Sequence, residues 1–157
     1  MDKIDLKILS ALQRDGRMTK QRLSEEVALS PSACLARMQK LEKDGIIKSY
    51  GTEVALGKIG PHSIVIVEIT LKKHKAEDFE KFEKAIANIP EIVECLAVGG
   101  GIDYIARFVT RSIEEYQNLM DRLLEDDLGI DRYFSFFVTK PIKKSPPDLF
   151  MLAGKPQ

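Results

Sequence analysis

A two-part α+β fold, a winged helix-turn-helix followed by a ferredoxin-like β-α-β-β-α-β domain, is predicted by three features of the 157-residue sequence. Apolar residues recur at helical spacing as far as Asp44, with capping residues between the runs. Two glycines and a proline then punctuate residues 57–62. Beyond them, β-branched runs alternate with amphipathic stretches in the order strand, helix, strand, strand, helix, strand. The expected organisation is a winged helix-turn-helix over residues 1–56, a linker over 57–62, a ferredoxin-like domain over 63–144 and a tail over 145–157.

Ile4, Leu6, Ile8, Leu9 and Leu12 mark the first helix. Asp2 or Asp5 can start it, and Gly16 is expected at its C-terminal cap. Thr19 can cap a second, short helix that buries Leu23 and Val27. After a tight connection at Ala28-Leu29-Ser30, Ser30-Pro31 opens a third helix: a serine cap, then a proline where its missing N–H costs nothing. Leu35, Met38 and Leu41 form its apolar stripe with Cys34 beside it, and Gly45 ends it. Residues 46–48 and 53–55 are expected to pair as a small hairpin around Ser49-Tyr50-Gly51-Thr52.

In the second part, residues 63–71 read as a strand and residues 76–88 as a helix stopped by Pro90. Strands follow over 92–98 and 102–109, separated by Gly99-Gly100-Gly101. Ser112 caps another helix, and residues 131–139 form the last strand. In Ile64-Val65-Ile66-Val67 and in residues 133–138, both alternating faces are largely apolar. Two helices cover one face only, and a water-facing antiparallel sheet carries polar residues on the other. The second face is therefore expected to lie against another subunit, with cover from the N-terminal domain as the alternative. The tail holds three prolines and is expected to be irregular, although residues 149–152 offer an apolar segment that can dock.

The balance of 24 basic and 24 acidic residues excludes a wholly basic coat protein for nucleic acid. The charge is uneven, however: residues 1–60 hold 11 Lys/Arg and 8 Asp/Glu, and residues 61–157 hold 13 and 16. A basic front joined to an acidic back points to nucleic acid at one end only. No apolar run approaches the ~20 residues of a membrane span, and no signal peptide is visible, so a cytoplasmic location is expected. Cys34 and Cys95 show no pairing pattern and read as small core thiols.

A third helix lying in the major groove presents the side opposite its apolar stripe: Ser32, Ala33, Ala36, Arg37, Lys40 and Lys43. Small residues permit close approach, and cations reach bases or phosphates. Ser30 lies at the start of this helix, where free N–H groups can meet a phosphate. Thr19, Lys20 and Gln21 begin the preceding helix and can grip the backbone. A protein-contact domain with a solvated charged face remains the alternative.

Several segments together resemble one family: residues 5–9, residues 12–17, residues 23–31, Ser32-Ala33-Cys34 with Arg37, and residues 41–47 with Tyr50. They are similar to the leucine-responsive/asparagine (Lrp/AsnC) regulators, and the resemblance covers roughly residues 1–144. It implies a winged helix joined to an effector and assembly domain, with Ser32, Arg37 and Lys40 on the recognition helix. It also implies a homodimer that assembles further, to an octamer of four dimers, on pseudo-palindromic double-stranded DNA. An Arg37 that reads a base contributes about 1–3 kcal/mol.

The three glycines between strands expose backbone N–H groups that can hold a carboxylate, with Asp103 toward an ammonium. Alternatively they make a flexible turn with a capping Asp. The resemblance places a Gly-x-x-Asp-Tyr effector segment here, matched by Gly100, Asp103 and Tyr104. Gly101 and Ile102 depart from the acidic or polar residue and the aromatic common in the family. Gly99 adjoins the segment, and Ser135 stands where the family often has Thr. The implied function is transcription regulation in response to an amino acid or related metabolite held between C-terminal domains. No cofactor and no metal are expected. His62 and His74 lack a ligand cluster, Ser135 lacks a base beside it in sequence, and the glycines lack a phosphate-loop ending. The rival readings are an enzyme and a ligand-sensing assembly protein that does not bind DNA.

Overall fold

The structure, a computed structural model, describes residues 1–154. The described residues form two compact units, residues 1–54 with residues 143–154, and residues 55–142.

In the first unit, α1 (Lys3–Arg14), α2 (Lys20–Glu26) and α3 (Pro31–Lys43) follow the expected apolar spacing. Asp2 and Asp5 cap α1 reciprocally: each carboxylate accepts the other's backbone N–H at 2.9 Å. The Thr19 hydroxyl accepts the Arg22 N–H at 3.2 Å, and the Ser30 hydroxyl accepts the Ala33 N–H at 3.3 Å. Ile8, Ala11, Leu23, Val27, Cys34 and Leu41 close the core. Gly45, at φ +69°, terminates α3 in the left-handed conformation that suits glycine.

Three expectations for this unit change. Gly16 does not cap α1; Asp15 does, and its carboxylate accepts the Arg17 N–H at 3.0 Å. That local bond organises the turn, so no left-handed glycine is needed. The hairpin is absent, because Ile46 and Ile47 both direct their N–H groups to the Leu41 carbonyl, at 2.9 and 3.1 Å. Residues 48–55 then run without strand pairing. Nor is the tail wholly irregular. Residues 149–152 form a one-turn helix, α6 (Leu149–Leu152), capped by Asp148 and in contact with α1. Phe150 is buried there, and the Lys144 ammonium meets Glu53 at 3.0 Å. Residues 155–157 of the expected tail lie outside the described residues.

In the second unit, the expected linker carries a single 3-10 turn over Leu56–Lys58. Then come β1 (Ser63–Leu71), α4 (Ala76–Ile86), β2 (Ile92–Ala97), β3 (Tyr104–Thr110), α5 (Ile113–Glu125) and β4 (Ile130–Phe137). The sheet order is β2-β3-β1-β4, with every neighbouring pair antiparallel. This is the ferredoxin-like arrangement.

Strand periodicity turns Val65, Val67, Ile69 and Leu71 toward the helices, beside Tyr104, Ala106 and Phe108 of β3. Phe82 and Ile86 of α4 and Tyr116, Leu119, Met120 and Leu123 of α5 complete that core. Burying each large side chain there contributes roughly 1.5–3 kcal/mol. On the opposite sheet face, Phe134 and Phe136 remain 54% and 52% exposed, with Leu96 and Val138 exposed on the same face. Register sets Phe136 opposite Ile66, and Arg107 opposite Ile66 on its other side. Cys34 and Cys95 are both free thiols.

Two consequences are measurable. Phe150→Ala should lower the unfolding free energy of the first unit by about 3 kcal/mol, the low end for truncating a buried Phe. Urea melts followed by a probe in that unit check this. The Asp2 carboxyl is held down at about 2, against an ordinary 3.8, by the Asp5 backbone N–H first and the Arg37 guanidinium second. A depressed carboxylate stabilises the fold above its unfolded value and loses that contribution as pH falls through its folded value. The stability advantage of the wild type over Asp2→Asn should therefore shrink between pH 3.8 and about 2. An advantage that persists at the acid end would contradict this.

Candidate functional sites on the two units

The first candidate site is the exposed side of α2 and α3. Thr19, Lys20, Gln21, Ser30, Ser32, Ala33, Ala36 and Lys40 are all exposed. Their spacing on α3 (Ser32, Ala36, Lys40 at every fourth residue) draws one line along the helix. Ser30 and Ser32 hydroxyls lie 3.2 Å apart, and Gln21 donates to Glu25 at 3.2 Å. Among the described residues, Lys20, Lys40 and Lys43 make no ion pair. The surface therefore offers unneutralised cations beside short side chains.

Arg37 is placed differently from its neighbours. Buried Cys34 precedes it by three residues and buried Leu41 follows it by four, so it stands on the inward stripe of α3. One guanidinium nitrogen donates to Asp2 and to Asp5, each at 2.7 Å. These hydrogen bonds, Asp5 first, push the guanidinium further above its usual range. The two acids were legible as helix caps; their second role joins residues more than thirty positions apart, a distance no local pattern reports.

The second candidate site is the loop between β2 and β3. Gly99, Gly100 and Gly101 are exposed, and a side chain at any of them would meet nothing within 4 Å. Only Gly100, at φ +140°, has a backbone conformation that requires glycine. Ile102 is half-buried. Asp103 is tied down: its carboxylate accepts the Leu71 N–H at 2.7 Å and faces His74 Nε2 at 3.1 Å. Arg132 reaches the Gly101 carbonyl at 3.5 Å.

Tyr104 and Ser135 sit on the helix-covered side. The Tyr104 hydroxyl donates to Glu83 at 2.8 Å, and burial first, then Glu83, push its phenol up. The Ser135 hydroxyl bonds to that of Tyr116. The fold thus brings residues 99–103 together at one sheet end, while the hydroxyls of Tyr104 and Ser135 already have protein partners. His74, Glu83, Tyr116 and Arg132 were not singled out for this region, because each reaches it through tertiary contact alone.

Comparison with known proteins agrees with both units. Residues 1–48 match a winged helix-turn-helix DNA-binding domain, and residues 64–148 match the Lrp/AsnC ligand binding domain. The transcriptional regulatory protein DoeX of Halomonas elongata is 46% identical over 144 residues, covering 92% of this chain and 91% of that protein. A crystal structure of an AsnC family transcriptional regulator from Agrobacterium tumefaciens is 30% identical and superposes with a TM-score of 0.89, covering 97% and 99% of the two chains. A transcriptional regulator from Neisseria meningitidis, crystallised with L-Met, is 31% identical and gives 0.88, covering 96% and 99%. Among the described residues, no helix is long and apolar enough to cross a membrane. The match of residues 1–48 to a winged helix-turn-helix, that of residues 64–148 to the Lrp/AsnC ligand binding domain and relatives that span nearly the whole chain make this protein a member of the Lrp/AsnC family of transcriptional regulators.

Proposed function

We propose that the chain is a sequence-specific DNA-binding regulator of transcription that works in the cytoplasm and responds to an amino acid or a related small metabolite. The observation that carries the DNA reading is the exposed line of Ser32, Ala36 and Lys40 on α3, with Ala33 beside it and Thr19, Lys20, Gln21 and Ser30 at the adjoining helix starts. Short side chains let the helix approach base edges, and the unpaired lysines meet phosphates. The partner is a double-stranded, pseudo-palindromic operator.

The uncovered sheet face supports a homodimer. Two copies meeting through Phe134, Phe136, Leu96 and Val138 form an isologous contact that removes this apolar surface from water. Two weak readers joined in this way gain about 10²–10⁴ in affinity, because the second contact becomes intramolecular. Dimers assembling further, as far as an octamer, fit the same scheme. The role is regulatory, without turnover of a small molecule.

For the effector, residues 99–103 are the proposed contact region, with Tyr104 adjoining it and Ser135 further along the sheet, opposite Val67. Side chains at Gly99 and Gly101 would meet open space within the protomer. The small size there therefore leaves room for something outside the chain, and the methionine complex of the Neisseria relative shows an amino acid bound to a protein of this fold. An effector that favours one assembly geometry shifts the spacing of the DNA-reading units by its differential affinity alone.

Two experiments test this. Phe134→Glu with Phe136→Glu should convert dimers to monomers in analytical ultracentrifugation and weaken operator binding by roughly 100-fold or more. A dimer that survives both charges would move the interface elsewhere. In a thermal-shift screen against amino acids, an effector at about 100 times its dissociation constant stabilises the fold by roughly 2.7 kcal/mol. Gly101→Glu, which meets no protein atom, should abolish that shift while leaving the unliganded melting temperature unchanged. A shift that persists in this variant would place the effector away from the loop.

A further inference from the structure

Arg37 bonds across the first unit, from α3 to the start of α1. We infer that Arg37 is a positioning residue, which ties the start of α1 to the middle of the reading helix, and that DNA is contacted by the residues around it. This inference rests on the DNA-binding reading above.

Both oxygens of each carboxylate have a donor. Asp2 gives one carboxylate oxygen to the Asp5 N–H and the other to Arg37; Asp5 gives one to the Asp2 N–H and the other to Arg37. The reciprocal cap fixes both carboxylates before the guanidinium arrives, so little side-chain freedom is lost when it docks. Such charge-assisted bonds at 2.7 Å are short and strong.

Burial and charge point the same way. The Arg37 side chain is 33% exposed and that of Asp5 16%, so the pair is partly removed from water. The two carboxylates offset the charge of the guanidinium they hold, which weakens its draw on phosphate. A full turn of the guanidinium toward DNA would break the Nη1 bonds to both carboxylates, although Nη2 and Nε are not engaged by them. Lys40, one turn further along, carries no such partner among the described residues. By holding α3 at its inward stripe, Arg37 sets the rotation of the helix and hence which side chains face outward.

The test compares the wild type, Arg37→Ala, Asp2→Asn with Asp5→Asn, and the triple variant, on a duplex that the wild-type full-length protein selects from a randomised library. Asparagine still caps a helix, so the acid replacements remove charge and spare the cap. Affinities are measured below every variant's melting range, and Asp2→Asn alone provides a milder step in the same direction.

The expected result is a roughly tenfold loss for the acid pair, matching that of Arg37→Ala, with no further loss in the triple variant. Base preference at every position of the site and the salt slope should stay unchanged. Removing two carboxylates near DNA ordinarily strengthens binding, so this loss has a sign that a direct arginine–DNA contact does not produce. Acid-pair binding at or above wild-type strength would overturn the inference. So would relaxed preference at one base pair, or a salt slope lowered by about 1, in Arg37→Ala. A wild-type protein that enriches no duplex would remove the DNA-binding reading itself, and this inference with it, a result distinct from the others.

Discussion

Two crossover helices cannot cover both faces of a four-stranded antiparallel sheet, and much of the second unit follows from that constraint. Both helices land on the face built from Val65, Val67, Ile69 and Leu71, and their apolar stripes fill it. The other face keeps the period-two alternation of the strands but not its usual chemistry. Where water calls for polar residues, β4 presents Phe134 and Phe136. That mismatch is a property of the single chain, and the proposed second copy would resolve it with no new element, since an isologous contact needs only one self-complementary patch.

The first unit depends on smaller devices. Its core is built of aliphatic side chains around Cys34, and hydrogen bonds at helix starts add to its definition. Asp2, Thr19 and Ser30 each satisfy N–H groups that a helix leaves unpaired. Asp2 and Asp5 then serve twice, once for their own helix and once for Arg37 of another. The C-terminal segment adds Phe150 to the same unit, so sequence remote from the reading helix contributes to the stability of the body that carries it.

How much of this was legible in the sequence depends on the range of the interaction. Capping residues act within four positions, and all of the helix starts marked by Thr19, Ser30 and Ser112 are found where the sequence places them. Strand order was readable because the β-α-β-β-α-β pattern admits few topologies. The two-sided apolar character of β1 and β4 was readable as well, since it needs only alternation. What escaped was decided by competition or by distance. The wing segment has strand-like residues, but the N–H groups of Ile46 and Ile47 close the end of α3 instead. Gly16 resembled a helix stop until the Asp15 side chain made the turn unaided. The sequence grouped Arg37 with the residues opposite the apolar stripe of α3, and its bonds to Asp2 and Asp5 were not readable there. Its partners lie in α1, beyond any local window.

The same contrast bears on how a chain of zero net charge can approach DNA. Total charge governs long-range steering, but the phosphate contacts that release counterions depend on cations that are not already neutralised. Here the arginine near the centre of the reading helix is committed to carboxylates, while Lys20 and Lys40 are not. Fewer available cations per head mean weaker binding by one head alone and greater dependence on two heads engaging together. The uncovered sheet face and the restrained charge of α3 therefore belong to one argument: binding that is marginal for a monomer becomes responsive to whatever alters the assembly. In the proposed assembly, a small ligand with only a modest preference between geometries would act on both heads at once.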